Sequence, residues 1–308
     1  GLTMPWFQAV PARRNPRALA SRLPYPCVVK PLTMSGSRGV IRANDPDEFV
    51  AAFTRLTTLL RQPDVRSERD AASDTVMIEA FIPGREFALE GLLDRGTLRT
   101  LAIFDKPDPL DGPYFEETIY VTASELGAAD LVRISATVAR AAAALGLRHG
   151  PVHAEVRVND LGVFVLEVAA RPIGGLCARA LRFEGDVSLE ELLLRHALGE
   201  DVRHLTREPS ASGVMMIPIP AAGIYRRVSG LDEARGIRGI DDVRITAKPD
   251  QALVPLPEGK SYLGFIFARA DRPAAVVDAL RAAHTRLRFT IEPGVRVLTM
   301  LDSDCNAD

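Results

Sequence analysis

Two glutamates, Glu155 and Glu167, are spaced so that their carboxylates can act as a pair. The segments HAEVRV and VFVLEV have the alternation of two strands joined by a tight turn. If Leu161 is the centre of that turn, the two glutamates are cross-strand neighbours on one face. The other face is predicted to be apolar, with these residues: Val152, Ala154, Val156, Val158, Phe164, Leu166 and Val168.

Like charges that lie directly opposite each other repel, so something positive must compensate for this pair. A hard cation with oxygen ligands does so, and Mg²⁺ bound by carboxylates and substrate phosphates is common in phosphoryl-transfer sites. The alternative is a solvated sheet face on which Arg157 and Arg171 pair with the glutamates. The spacing alone leaves both interpretations open.

A phosphate-binding element is indicated by Lys30, which lies in the strand CVVKPL before the glycine- and serine-rich loop TMSGSRG. A lysine ammonium suits phosphate, and glycine and serine let backbone N–H groups close over phosphate oxygens. The order differs from a Walker A loop, in which the lysine follows the glycines. An ordinary hairpin with a lysine at its edge is the alternative.

A nucleoside-binding element is indicated further on, where the strand TVMIEAFI ends beside Glu79 and Glu86 follows after a Pro-Gly turn. A strand edge can offer main-chain groups to an adenine, and a carboxylate can accept hydrogen bonds from ribose hydroxyls. The alternative is that Glu79, Glu86 and Glu90 line a solvated strand face.

The surrounding pattern predicts an α+β protein. A small sheet with one helix comes first, strand meanders and a helix ended by Gly146 follow, and Ser188 with Glu191 forms a capping box before a Leu-rich helix. The last part, in the order strand, helix, strand, strand, helix, strand, suggests a ferredoxin-like unit. The predicted divisions are a connecting segment at 1–23, a lid subdomain at 24–82, a catalytic subdomain at 83–207 and a C-terminal subdomain at 208–308.

Composition favours a small-molecule partner. The net charge is only −2, with both signs interspersed, so no field of one sign would attract nucleic acid or a membrane. The three cysteines are single and far apart, which fits neither a disulfide framework nor a zinc site. No apolar run reaches about 18 residues. We therefore expect a cytoplasmic protein.

Along the chain, the phosphate-binding element comes first, the nucleoside-binding element second and the glutamate pair third. This ordered set resembles the ATP-grasp superfamily, whose members hold ATP between two α+β subdomains and activate a carboxylate as an acyl phosphate. The resemblance runs from Pro24 to Leu198. It implies ATP and Mg²⁺ as cofactors, with Glu155 and Glu167 as the metal ligands and Glu86 on the ribose. It also implies Lys30 and the loop Ser35, Gly36, Ser37 and Gly39 on the phosphates, and Glu79, Ala80, Phe81 and Ile82 as the adenine hinge.

Within that superfamily, the segments EVAARPIGG and FDKPDPLDGPYFEETIYV are similar to L-amino acid ligases and carnosine-synthase-like enzymes. This resemblance implies that a carboxylate and an amine, expected to be amino acids, are joined through an acyl phosphate. Glu117 would then meet the substrate amino group, and Arg171 would stabilise the phosphorylated intermediate. The segments GVMMIPIP and LVPLPEGKSYLGFIFAR resemble the C-terminal subdomain of those ligases.

The chain departs from the family pattern at two points. Glu167-Val168-Ala169 stands where many members have Glu-x-Asn, and nothing in the sequence supplies the N-terminal subdomain of about 100 residues. A homodimer, or a partner supplying that subdomain, is therefore expected. A biotin-carboxylase-like or purine-biosynthetic enzyme and a truncated, non-catalytic nucleotide-binding subunit are the alternatives.

Four other residues have a functional and a structural interpretation. His153 is expected to be structural, and Lys106, in a Pro-rich loop, to be solvated. Tyr120 either shapes a substrate pocket or packs in the core. Cys177 is not expected to be a nucleophile, since no base is identifiable beside it.

Overall fold

The N-terminal region is a four-stranded antiparallel sheet with helices on one side. The computed structural model describes residues 2–67 and 70–293. The strands lie in the order β1-β4-β2-β3. The elements of this region are β1 Phe7–Pro11, α1 Pro16–Ala20, β2 Cys27–Pro31, β3 Ile41–Ala43, α2 Pro46–Leu59, α3 Pro63–Arg66 and β4 Thr75–Ala80.

The start of helix α2 is fixed by its own local sequence. The Asp45 side chain accepts hydrogen bonds from the N–H groups of Asp47 and Glu48, and Pro46 occupies the first turn. Phe49 and Phe53 are buried together with strand residues of the sheet. The helix therefore covers one face of the N-terminal sheet.

The expectation that residues 1–23 are a connecting segment is wrong. Strand β1 pairs antiparallel with β4, and α1 packs on α2. Val10 and Leu19 are buried in the same core, which is why this segment folds as part of the sheet. The polar stretch at 62–74 contains α3 and a 3₁₀ turn at Ala71–Asp74, while residues 68 and 69 lie outside the described residues.

The rest of the chain is built on an eight-stranded sheet. Its strands lie in the order Ile240–Ile245, Gly264–Ala270, Ala211–Ile217, Ile119–Thr122, Thr97–Asp105, Arg85–Asp94, Gly150–Asn159 and Gly162–Ala169. One face packs on α4 through Phe87, Ile134 and Val138. The other packs on the segment 173–205 through Phe104 and Phe183. The central elements are β5 Arg85–Asp94, β6 Thr97–Asp105, β7 Ile119–Thr122, α4 Ala128–Ala144, β8 Gly150–Asn159, β9 Gly162–Ala169, β10 Arg182–Phe183, β11 Val187–Ser188 and α5 Leu189–Ala197.

The C-terminal region extends this sheet. Its elements are β12 Ala211–Ile217, β13 Gly223–Ser229, α6 Leu231–Arg235, β14 Ile240–Ile245, β15 Ala252–Leu253, β16 Gly264–Ala270, α7 Pro273–His284 and β17 Arg288–Glu292. The expected order of strands and helices is present in β12, α6, β14, β16, α7 and β17. However, β14 and β16 continue the large sheet through β12 and β7, whereas β13 and β17 form a second sheet with β15.

Two strands of this region, β13 and β15, were not predicted, because neither has the period-two apolar pattern of a half-buried strand. Residues 294–308 of the predicted C-terminal subdomain, which include Cys305, lie outside the described residues. Over the residues that are described, no helix combines the length and the apolar character needed to cross a membrane.

Candidate active site

The predicted glutamate pair is confirmed: Glu155 on β8 lies directly opposite Glu167 on β9. The reason differs from the one the sequence suggested. Asn159 pairs with Gly162 across a two-residue turn, and that register would bring Leu166 opposite Glu155. A β-bulge takes up Leu166 as an extra residue and brings Glu167 into register.

The bulge also changes which residues are apolar neighbours. Phe164, which was predicted on the apolar face, instead pairs with Arg157 on the polar one. Val163 and Val165 pack against the core beneath α4, a position that the sequence analysis did not predict for them. A shift of one residue in register exchanges the two faces of a strand, so the assignment of Phe164 and Leu166 to the apolar face is wrong.

The two glutamates have different surroundings. The Glu155 side chain is 20% exposed and contacts Lys106 and His153. Burial alone would raise the pKa of Glu155, but those two cations outweigh it and lower the pKa well below its ordinary value. Glu167 is 56% exposed, and its nearest cation is Arg171 at 3.8 Å. Glu155 is thus an anion within a network, and Glu167 lies at its solvent edge.

Lys106 is at the centre of that network, and the expectation that it is solvated is wrong. Its side chain is only 3% exposed. Its ammonium lies 2.7 Å from Glu86 Oε1 and 3.0 Å from Glu155 Oε1, and it also contacts Glu117 Oε1. Burial would lower the pKa of Lys106, but the three carboxylates raise it well above its ordinary value. Lys106 follows β6 directly, so the sheet carries it into the interior.

Glu86, predicted to bind ribose, is buried and paired with cations on both oxygens. Its Oε2 accepts a hydrogen bond from Arg157 Nε at 2.9 Å, while its Oε1 faces Lys106. Arg157 also donates to the carbonyls of Ile82 and Leu110. A ribose would therefore compete with these cations for Glu86, and the ribose assignment stays a prediction.

Glu117 lies in the same network, against Lys106 and Tyr120. The Tyr120 hydroxyl donates to Glu117 Oε1 at 2.7 Å and lies 3.2 Å from Glu155 Oε1. Burial, partly offset by Lys106, raises the pKa of Glu117 to about 7. The ring of Tyr120 is part of the core, which confirms its structural interpretation. A role of Tyr120 in a substrate pocket stays a prediction.

Sequence analysis missed Glu90 as a structural element of this site. Its side chain is 2% exposed and contacts His153 Nδ1, and its Oε2 accepts the N–H of Ile173 at 3.0 Å. The signal was present, because Glu86 and Glu90 are two acidic residues on one face of an otherwise apolar strand. Glu90 thereby ties the loop that carries Arg171 to the sheet.

Arg171 itself is exposed at the start of this loop. Its Nη1 donates to the Pro172 carbonyl at 2.9 Å. Gly175 has a left-handed backbone (φ 62°), and a Cβ there would lie 3.2 Å from the ring of Phe265. The close packing of the glycine against Phe265 holds the far end of the loop near the sheet.

The predicted phosphate elements are in the N-terminal sheet. Lys30 on β2 lies beside Glu79 on β4, with Nζ 2.7 Å from Oε2. The loop from Ser35 to Gly39 contains three residues with positive φ, namely Gly36, Ser37 and Gly39. Its last N–H, from Gly39, donates to the Pro257 carbonyl at 2.8 Å. The loop is therefore attached to the C-terminal region, a link that the sequence did not indicate.

The predicted adenine hinge follows β4, and several of its main-chain groups are engaged within the protein. The N–H groups of Ala80 and Phe81 donate to the carbonyls of Trp6 and Pro26, and the Ile82 carbonyl accepts from Arg157. The centroid of the Phe81 ring lies 4.0 Å from Arg42 Cζ and 4.9 Å from Arg157 Cζ. Adenine binding at this hinge stays a prediction.

The network has a donor set that suits a divalent cation. One carboxylate oxygen from each of Glu86, Glu117 and Glu155 lies within 4.8 Å of the others. Hard cations such as Mg²⁺ prefer such oxygen ligands. Lys106 lies against all three carboxylates in this arrangement. Binding of Mg²⁺ by Glu155 and Glu167 stays a prediction.

Comparison with known proteins matches most of the chain. An ATP-grasp domain model matches residues 23–180, and a model for L-amino acid ligase C-terminal domain 2 matches residues 215–292. The structure of L-amino acid ligase from Bacillus licheniformis is similar with a TM-score of 0.79 and 27% identity, over 95% of this chain and 70% of that one.

The curated relatives with named activities include enzymes of two kinds. Dapdiamide A synthase of Enterobacter agglomerans is 26% identical over 51% of this chain and 35% of its own. Formate-dependent phosphoribosylglycinamide formyltransferase of Corynebacterium glutamicum (strain R) is 29% identical over 90% of this chain and 63% of its own. The chain thus spans less than two thirds of each of these relatives. With the matched domain covering residues 23–180, the chain belongs to the ATP-grasp family.

Proposed function

We propose that the protein is an ATP-dependent carboxylate–amine ligase that forms an amide bond, of dipeptide type, through an acyl phosphate. The observation that carries the proposal is a continuous chain of polar contacts linking the residues assigned to the two chemical steps. It runs from the Ile173 N–H in the Arg171 loop through Glu90, His153, Glu155, Lys106 and Glu117.

The roles of the residues follow from their charge and exposure. Glu155 and Glu167 would hold Mg²⁺, which when bound neutralises charge on the transferred phosphates. Lys30 and the N–H groups of Ser35, Gly36 and Ser37 would bind the triphosphate, whereas the Gly39 N–H is engaged by the Pro257 carbonyl. Exposed Arg171 is free to turn toward a phosphorylated carboxylate, because its loop is fixed through Glu90 while its own side chain is 47% exposed.

The proposed reaction has two steps. A carboxylate oxygen attacks the γ-phosphorus of ATP, the bond to the bridging oxygen breaks, and ADP leaves. The amine then attacks the carbonyl carbon of the acyl phosphate, phosphate leaves, and the nitrogen loses a proton. Glu117 would accept a hydrogen bond from the amine, and Arg171 would stabilise the negative charge that develops on the acyl phosphate.

A second candidate is activation of formate for transfer to a ribonucleotide amine. The formyltransferase relatives favour it, since their similarity extends over 90% of this chain. It uses the same two steps with a smaller carboxylate. The match of residues 215–292 to the L-amino acid ligase C-terminal domain favours the amino acid ligase instead.

The decisive experiment is phosphate release from Mg-ATP with amino acids singly and in pairs, with formate plus phosphoribosylglycinamide, and with bicarbonate. Release that needs two amino acids, with a dipeptide mass in the product, is the expected result. Release that needs formate supports the second candidate. Nucleotide binding with no turnover on any panel member contradicts both and leaves a nucleotide-binding subunit.

Matched variants test the assignment of residues. Glu117→Gln keeps the size of the side chain and is expected to raise the KM for the amine substrate more than that for ATP. Arg171→Lys keeps a charge but loses the planar guanidinium, so it should lower kcat. The control variant is Arg182→Lys, which changes an exposed arginine on β10. It should leave kcat and the KM for the amine substrate unchanged.

A further inference from the structure

A second cluster of possible metal ligands lies at the opposite end of β5 from Glu86. Asp94 ends β5, His149 precedes β8, and His196 lies on α5. One ligand atom from each of these residues lies within 4.8 Å of the others. Eight residues of strand separate Asp94 from Glu86, which corresponds to roughly 25 Å. The cluster is therefore independent of the proposed catalytic network.

The backbone brings the three residues together for local reasons. Leu93 pairs with Gly150 across β5 and β8, so Asp94 and His149 are adjacent just beyond the ladder. The Gly96 N–H donates to the Arg148 carbonyl at 2.7 Å and fixes the β5–β6 turn against the start of β8. Helix α5 packs on β8 and brings His196 over this corner.

His196 has a buried polar atom for which the described residues supply no hydrogen-bond partner. The residue is 7% exposed, and its Nε2 is buried without a hydrogen bond among the described residues. Its ring stacks on that of His149 with centroids 4.2 Å apart. Burial and the nearby His149 lower the pKa of His196. A buried, unpaired imidazole nitrogen is costly unless something binds it.

The other two ligands can adjust to an ion. His149 Nδ1 lies 3.6 Å from Asp94 Oδ1, and the two side chains are 55% and 48% exposed. Ligand atoms about 2.0–2.1 Å from a tetrahedral zinc lie roughly 3.3 Å apart. Because both side chains are about half exposed, they can rotate to meet that spacing.

We propose that Asp94, His149 and His196 bind a divalent transition-metal ion, with Zn²⁺ as the representative probe. Two imidazoles and one carboxylate favour a transition metal over Mg²⁺ or Ca²⁺, which take oxygen ligands. Three protein ligands leave the fourth tetrahedral position to water. The ion would link the β5–β6 turn, the start of β8 and α5.

The test is titration of the full chain with Zn²⁺ against a chromophoric chelator in Mg²⁺-free buffer. One equivalent per chain is expected, with a rise in Tm. His149→Ala and Asp94→Asn change exposed side chains, so both should fold, and each should weaken Zn²⁺ binding at least about tenfold. The matched control is His284→Ala, which changes a histidine on α7 outside the cluster. This variant should bind Zn²⁺ with the affinity of the parent protein.

Co²⁺ supplies a second readout, because its visible spectrum reports the ligand type. Nitrogen and oxygen ligation without thiolate charge transfer is expected, and the bands should disappear in His149→Ala. The proposal is overturned if no stoichiometric Zn²⁺ binds. It is equally overturned if affinity is unchanged in both cluster variants, or if thiolate bands dominate the Co²⁺ spectrum.

Discussion

Glu155 and Glu167 lie opposite each other on paired strands, yet only Glu155 is held within the buried network around Lys106. Glu167 is 56% exposed and 3.8 Å from Arg171. A cation placed between the two glutamates would therefore join a fixed ligand on one side with an adjustable ligand on the other.

This asymmetry leads to a prediction on nucleotide binding. Glu155→Gln and Glu167→Gln should each reduce the Mg²⁺-dependent part of ADP affinity by about tenfold or more, because each amide replaces an anionic ligand. Calorimetric titration with ADP, with and without Mg²⁺, measures that difference. The control variant Glu184→Gln changes an exposed glutamate and should leave the Mg²⁺-dependent part of ADP affinity unchanged. An unchanged Mg²⁺ dependence in both variants would show that the metal assignment is wrong.

A second prediction concerns the ammonium of Lys106. Lys106→Met removes the one cation shared by Glu86, Glu117 and Glu155 and leaves their charges buried, so the free energy of unfolding should fall by about 3–5 kcal/mol. Urea unfolding measures it. The double variant Lys106→Met/Glu117→Gln should recover part of the loss, because one carboxylate charge is then gone. A loss below about 1 kcal/mol in the single variant would contradict the buried network.

A third prediction concerns pH. Burial would lower the pKa of His153, but Glu90 and Glu155 raise it to about 9 from its ordinary 6.5. The folded state then binds more protons than the unfolded state between these values. The contribution of His153 to the free energy of unfolding is fully present below pH 6.5 and is lost as the pH rises through 9. This change is on the order of 3 kcal/mol.

Urea unfolding from pH 6 to 9.5 in chelator-containing buffer measures this loss. His153→Gln should show a flatter profile between pH 6.5 and 9, whereas His204→Gln, at an exposed histidine, should follow the parent. The difference between parent and variant isolates the contribution of His153 from that of Glu117, whose pKa of about 7 lies in the same pH range. Parallel profiles for parent and His153→Gln would refute the pairing.

A fourth prediction concerns the link between the Ser35–Gly39 loop and the C-terminal region. Glu258 pairs with Arg55 on α2, and its carbonyl accepts from Arg38 Nε at 2.7 Å. Glu258→Ala should speed amide exchange at 35–39 and change the free energy of unfolding by less than about 1 kcal/mol, as expected for a partly exposed pair. Asp250→Ala, which removes a comparable pair with Arg226, should leave exchange in the loop unchanged.

Features set by neighbouring residues could be predicted from the sequence. The start of α2 at Pro46 follows from the Asp45 cap, and the Ser188 cap of α5 follows from local hydrogen bonding. The Glu155–Glu167 pairing was also predicted, although the bulge that produces it was not. A turn and a cap involve only a few consecutive residues, so their chemistry is visible in the sequence.

Only the tertiary structure decided which charges are buried together. Lys106 follows β6 in a Pro-rich segment that looks solvated, and it becomes buried because β5, β8 and the segment before β7 each bring one glutamate to it. The pairing of β1 with β4 and of β12 with β7 likewise joins segments far apart in the chain. Alternation along a strand shows which face is polar, but not which distant strand will cover it.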